Sequence, residues 1–186
     1  MSTEEVIIDG KRVTTLKELL RPGLKAIFVG VNPGLESVRR GHYYQGIHGQ
    51  HFWRQLVEFQ ILPVPLPQGA EDDAAFEHGF GFADIIRRPT HSANKLTRKE
   101  LSAGVSSLAP RLNETGDHPI IVFRYKKAWS LAQPQLDKMG YGRMIYMPSP
   151  YTKADYADEL MRELQSELRP HLFGWNPLEP GHLLPS

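Results

Sequence analysis

Cysteine is absent from all 186 residues. That excludes disulfides, thiolate zinc sites and cysteine-held iron–sulfur clusters, and it fits a reducing compartment. An excess of one charge is missing too. Lys and Arg number 22 against 21 Asp and Glu, a net +1, so any positive surface that meets nucleic acid must be local. Long hydrophobic runs are lacking, none approaching the ~20 residues of a spanning helix. The start, Met1-Ser2-Thr3-Glu4-Glu5, has neither the basic residues nor the apolar stretch of a secretion signal. No membrane partner is expected. The expected location is cytoplasmic, nucleoid-associated if the source is a bacterium.

What is present is ordinary globular composition, 40% hydrophobic and 23% charged, and no repeat or linker divides it. One domain over 1–186 is expected, with its core at about 15–168 and an extended tail over 169–186. Basic residues cluster at Arg39-Arg40, Arg87-Arg88, 95–99 and 124–127, while acidic ones gather at 71–73 and 155–167. These clusters read as solvated faces, except where they adjoin the turns described next.

Apolar runs at 24–31, 81–86, 119–123 and 144–147 are short and stop at turn residues, the pattern of buried strands. Helical spacing fills the intervals: 52–59, 97–112, 126–136, and 152–168 with a capping-box-like opening at Thr152. The N-terminus suggests an extended piece at 6–8, a turn at Asp9-Gly10 and a small helix over 15–20. Strands alternating with helices predict a three-layer αβα sandwich around a mainly parallel sheet.

In such sheets ligands bind beyond the carboxyl ends of the strands. Three of the predicted strands end in polar or proline-rich turns: Asn32-Pro33-Gly34, Arg87-Arg88-Pro89-Thr90 and Met147-Pro148-Ser149-Pro150. They should line one crevice. The first turn lacks the lysine and glycine spacing of a phosphate loop. It offers instead an amide, Asn32, on a turn stiffened by proline, followed by a glycine-flanked loop (41–46) carrying Tyr43 and Tyr44. An aromatic face with an orienting amide suits a flat heterocycle such as an extruded base.

Gly30-Val31-Asn32-Pro33-Gly34-Leu35, then Gly41-His42-Tyr43-Tyr44, then His51-Phe52-Trp53, resembles the first motif of the mismatch-specific uracil/thymine-DNA glycosylases, within the uracil-DNA glycosylase superfamily. The likeness continues through Arg88-Pro89-Thr90, Val122-Phe123 with Lys126, and Met147-Pro148-Ser149, so it spans roughly 15 to 168 in order.

The resemblance implies a cofactor-free, metal-free enzyme. It would take uracil, or thymine and other damaged bases, from mismatched double-stranded DNA and hydrolyse the N-glycosidic bond without cutting the strand. A monomer is expected. Carried over by position, Asn32 positions the attacking water and Tyr44 stacks on the extruded base. Ser37 lies near C5 of the pyrimidine, and Thr90 helps hold the water or phosphate. Val31 and Gly34 complete the substrate turn. Met147, Pro148 and Ser149 contact the minor groove, Lys153 fills the gap left by the base, and Arg39 and Arg40 meet the backbone.

Two departures stand out: the 44–52 stretch is one residue longer, with Gln50 replacing an Asn, and Asp84 stands where relatives carry a second water-holding Asn. A carboxylate is a far better base than an amide, which makes Asp84 a second catalytic candidate. Its structural alternative is an ion pair with Arg87 or Arg88.

Phe52 and Trp53 read as core, and Tyr43 and Tyr44 as loop packing if they do not stack. His48 and His51 lack the companion ligands of a metal site. Two other functions stay open: a DNA-damage binder without turnover, and a hydrolase of free nucleosides.

Overall fold

The computed structural model describes residues 3–62, 66–116, 119–141, 143–149 and 151–171. Four parallel strands form its centre: β3 (Ala26–Gly30), β4 (Phe80–Asp84), β5 (Ile120–Phe123) and β6 (Met144–Tyr146), in the order β4-β3-β5-β6. β3, β4 and β5 are buried at every position. This is why they read as continuous apolar runs rather than as alternating ones.

Side chains alternate between two faces, and each face builds its own core. Ala26, Phe28, Phe80, Phe82, Ile120 and Val122 pack with helices α2 (Ile47–Glu58) and α6 (Ala154–Leu168). Ile27, Val29, Ala83, Ile121 and Phe123 pack with α4 (Arg98–Leu112) and α5 (Lys126–Lys138). The result is the three-layer αβα sandwich with a parallel sheet.

The N-terminal expectation needs correcting. No helix forms over 15–20; β1 (Thr3–Ile8) and β2 (Lys11–Leu16) make an antiparallel hairpin. Asp9 and Gly10 both have positive φ, 50° and 73°, the geometry that an Asp-Gly turn supplies to a two-residue hairpin. The β-branched Val13, Thr14 and Thr15 favour the strand. Leu19 then bridges to Phe82 and seals the sheet edge.

Two short helices were not anticipated: α1 (Leu35–Arg40), after the Asn-Pro-Gly turn, and α3 (Glu71–Glu77). The acidic run at 71–73 is a solvated face only at Asp73. Glu71 and Asp72 are 3% and 0% exposed and clamp the 41–50 segment. Asp72 accepts the Tyr43 N–H at 2.7 Å and touches the His42 ring at 2.9 Å, while Glu71 accepts from Gln45 and Gln50.

The last helix begins at Ala154 without a side-chain cap. The expected capping hydroxyl of Thr152 instead accepts the Ser149 N–H. A true capping box opens α4, where Thr97 and Glu100 cap each other's N–H groups. Of the expected tail, Arg169–His171 forms a single 3-10 turn, and residues 172–186 lie outside the described residues. Among the described residues, no helix is long and apolar enough to cross a membrane.

Candidate active site

All four strands are parallel, so their carboxyl ends open on one side. The three turns of interest meet there. Ile85 and Ile86 donate to the carbonyls of Gly30 and Val31, Thr90 N–H donates to Pro33, and Met147 N–H donates to Phe123. The turn after β3 is thereby zipped to the turn after β4, with Gly34 bridged to Thr90.

Asn32 is half-buried at this junction. Its amide nitrogen donates to Thr90 Oγ1 at 2.8 Å and to the carbonyls of Pro33 and Arg88 at 3.1 Å. Three acceptors on the NH₂ side fix the side-chain plane and turn the carbonyl Oδ1 away from them. That oxygen can accept a hydrogen bond from water; being an amide, it cannot take a proton at neutral pH. Thr90, 9% exposed, orients Asn32 through its hydroxyl.

Asp84 is paired with Gly30 across β3–β4, and only 4% of it is exposed. Neither arginine of the structural alternative binds its carboxylate. Arg87 is held by Glu4 at 2.8 Å and by Glu18 at 3.7 Å, and Arg88 by Glu100. Among the described residues Asp84 Oδ2 has no hydrogen-bond partner. Burial, reinforced by the nearby Glu18 carboxylate, pushes the acid up to about 8. Glu18 in turn is held by Arg111 and receives the Asp84 N–H at 3.3 Å.

Gly30 is required here because any Cβ at this position would collide with Asp84 Oδ1. The missing side chain makes room for that carboxylate oxygen, and the Tyr44 hydroxyl approaches the same spot, 3.5 Å from where the Cβ would lie. Tyr44 stacks one face on Phe52, with centroids 3.9 Å apart, and meets Trp53 and Phe82 edge-on. Its φ of 53° is left-handed, a strained conformation for an aromatic residue, of the kind that gathers at functional sites. Among the described residues the buried hydroxyls of Tyr43 and Tyr44 have no partner, and burial beside Asp84 pushes both phenols well up.

Several expected site residues lie elsewhere. Val31 packs its side chain on the opposite face of the sheet. Ser37 is 7% exposed and its Oγ accepts the Gln45 N–H at 3.0 Å, so it ties the tyrosine loop to α1 instead of facing a pyrimidine C5. Met147 is 0% exposed within the core and Pro148 is buried. A residue just past a strand end still belongs to the sheet's packing, and both residues are buried in it.

The outer rim is different. Ser149 is half-buried and Lys153 exposed. Arg39 and Arg40 are exposed but share one carboxylate, Glu36, at 2.7 Å and 2.6 Å.

Sequence reasoning missed three features. Tyr151, 83% exposed, and Ile47, 88% exposed, protrude from the turn after β6 and from the first residue of α2, and Tyr151 lies beside His48. Arg124, placed by its neighbours in a basic surface cluster, is 1% exposed. Extending the alternation of Ile120 and Val122 by two residues would have put it on the core face. For a metal, His42, Asp72 and Asp73 offer ligand atoms within 4.8 Å of one another. Asp72 is already engaged by Tyr43 and His42, so the trio reads as a loop clamp.

A groove between Trp129, Tyr146, Leu160 and Glu163 lies on the outer edge strand, apart from this arrangement. The chemistry gathers at Gly30: an oriented amide, a buried acid, an aromatic ring and protruding apolar side chains on the rim. The family model described as the uracil DNA glycosylase superfamily matches residues 18–169, from the Glu18 that underlies Asp84 to the end of α6. The chain belongs to the uracil DNA glycosylase superfamily.

Proposed function

We propose that this glycosylase is of the mismatch-specific uracil/thymine type, a monofunctional enzyme that initiates base excision repair on mismatched duplex DNA. The reading rests above all on the placement of Asn32 and Asp84 at the carboxyl ends of the neighbouring strands β3 and β4. The amide is oriented by three acceptors, and Asp84 Oδ2 has no partner among the described residues. The Asn-Pro-Gly turn and the Met-Pro-Ser segment, in that order, support the subtype.

In this mechanism the base is extruded and stacks on the Tyr44 face that Phe52 leaves uncovered. Tyr151 fills the space it vacates in the duplex, since an exposed large side chain on the rim acts as a wedge between base steps. This role passes to Tyr151 from Lys153, which instead contacts phosphate. As the C1′–N1 bond lengthens, the sugar becomes oxocarbenium-like. Asn32 Oδ1 holds a water by one proton, and the Asp84 carboxylate takes the other as oxygen bonds to C1′. No cofactor and no metal ligand enters these steps.

Release of free base from short duplexes carrying a G·U, G·T or ethenocytosine lesion, with and without EDTA, tests the proposal. Uracil should leave the G·U duplex with chelator present, and the strand should break only after alkali. Tight lesion binding without release would instead identify a damage binder. Equal release from free deoxyuridine would identify a nucleoside hydrolase.

A further inference from the structure

A buried carboxylate survives folding only where cations hold it, and one set beside a second acid makes that acid harder to ionise. Glu18 is placed to do this to Asp84. It lies in the connection from β2 to β3, against the edge strand β4, with 8% of its side chain exposed. Arg111 of α4 binds its Oε1, Arg87 stands 3.7 Å from its Oε2, and the Asp84 N–H donates to Oε1 at 3.3 Å. Arg111 Nη2 also donates to the Asp84 and Ile85 carbonyls, at 3.0 and 3.2 Å. The backbone of Asp84 is therefore gripped at both its N–H and its carbonyl, while the carboxyl Oδ2 has no partner among the described residues.

Arg87 is fixed in turn by the N-terminal hairpin. Its Nη2 donates to Glu4 at 2.8 Å and to the Leu16 carbonyl at 2.7 Å, and the Thr15 hydroxyl donates to the Arg87 carbonyl at 2.6 Å. Charges thus alternate through Glu4, Arg87, Glu18 and Arg111, and neither arginine bonds the Asp84 carboxylate. The 41–46 loop faces Asp84 with the Tyr43 and Tyr44 phenols, which burial pushes well up and keeps uncharged. β3 offers only Gly30, and the Arg124 guanidinium after β5 lies over Phe52. Among the described residues, Glu18 is the anion whose charge opposes ionisation of Asp84, and Arg87 and Arg111 are the cations that favour it.

On this geometry, and resting on the reading of Asp84 as the base, we infer that Glu18 and Arg87 are positioning residues that tune Asp84 through space, Glu18 making it a stronger base and Arg87 keeping it available as a carboxylate. An ordinary aspartate is a weak acceptor for a proton of water, and a base works best when its acid ionises near the working pH. Negative charge held against Asp84 moves it that way, and the two arginines limit the effect so that the carboxylate is not lost. Neither Glu18 nor Arg87 gives or takes a proton in the step: the water oxygen bonds to C1′ and its proton goes to Asp84. The backbone grip keeps the acid at a fixed distance from both neighbours. The hairpin, by holding Arg87, becomes a support of the reaction centre.

The test titrates the Asp84 carboxyl by carbon NMR, its signal assigned by its absence from Asp84→Asn, in the wild type, Glu18→Gln and Arg87→Gln. Single-turnover release of uracil from a G·U duplex is followed over the same pH range. The wild-type midpoint should lie at about 8. In Glu18→Gln, whose amide oxygen can still accept the Asp84 N–H, it should fall by about one unit or more, and in Arg87→Gln it should rise by about as much. The rates should follow. Glu18→Gln should outrun the wild type at pH 6 and lag behind it at pH 9, because an acid that ionises more readily leaves a weaker base. Arg87→Gln should be slower at pH 7 and recover at alkaline pH, whereas a purely structural role would slow both variants at every pH. An unmoved midpoint, or shifts of the same sign, would overturn the inference and leave the glycosylase reading intact. A wild-type rate that is flat with pH would remove Asp84 as the base, and no release at all would remove the glycosylase reading; either takes the inference with it. If Arg87→Gln does not fold, the Glu18→Gln midpoint decides alone: a fall supports the inference, and no change or a rise overturns it.

Discussion

Asp84 shows how a single residue can be unfavourable for folding and suited to chemistry. Its neutral form is favoured in the folded protein, with the acid raised from 3.8 to about 8. The folded state therefore holds a proton that the unfolded chain releases. Stability attributable to this group is fully present below about pH 4 and is lost as pH climbs to about 8, at up to about 1.4 kcal/mol per unit. Asp84→Asn removes the titration. The variant should melt above the wild type, and the gap should widen from pH 5 to pH 8 in parallel thermal scans. An ion-paired structural aspartate would give the opposite, a less stable variant with the deficit largest at high pH. Asn32 and Asp84 were both legible as candidates in the sequence, because both sit where predicted strands end. The surroundings of Asp84 were not, since Glu18 lies 66 residues away along the chain and only the fold brings it beneath the acid.

The strands and long helices could be read because each carries its own period. Misread elements were those decided by neighbours. The 15–20 segment has helix-compatible spacing, yet a two-residue turn and the pairing of Val6 with Val13 hold its start in a hairpin. Helix α3 looked like surface because acidic residues usually are. Glu71 and Asp72 are instead internal acceptors for backbone and amide N–H groups of the tyrosine loop, a role with no local signature.

Two substitutions separate the functions of these elements. Thr97→Ala, which breaks the cap of α4 away from the crevice, should cost about 1 kcal/mol in denaturant unfolding and leave single-turnover base release unchanged. Asp72→Ala strands the Tyr43 N–H in the interior. It should cost about 1–3 kcal/mol and also slow release, because the loop that holds Tyr44 loosens. A normal rate in Asp72→Ala would show that Tyr44 needs no clamp.

The whole molecule combines a near-neutral charge with a polar, largely enclosed reaction centre, and this shapes how it meets DNA. Most rim cations are committed: Arg39 and Arg40 to Glu36, and Arg88 to Glu100. Lys153 is exposed at the start of α6. Each phosphate contact contributes about 0.9 to the slope of log affinity against log salt. Lys153→Ala should therefore lower the slope by about one while binding to undamaged duplex weakens uniformly, as fluorescence titration at several salt concentrations would show. An unchanged slope would place Lys153 off the DNA path. The sandwich and the shared opening of the turns followed from the alternation of strands and helices. Which residues face the opening did not, because one step of register decides between crevice and core, as Val31, Met147 and Arg124 each show.

The division of labour between amide and acid is tested most directly by the pH dependence of single-turnover uracil release at subsaturating G·U duplex, which reports ionisation of the free enzyme. With Asp84 as the base and its acid at about 8, the wild-type rate should climb about tenfold per unit below pH 8 and level off above it. Asp84→Asn should be slower by about 10²–10⁴-fold and flat across the range. A wild-type profile flat from pH 6 to pH 9, with Asp84→Asn at full rate, would contradict the account and leave Asn32 to position the water alone.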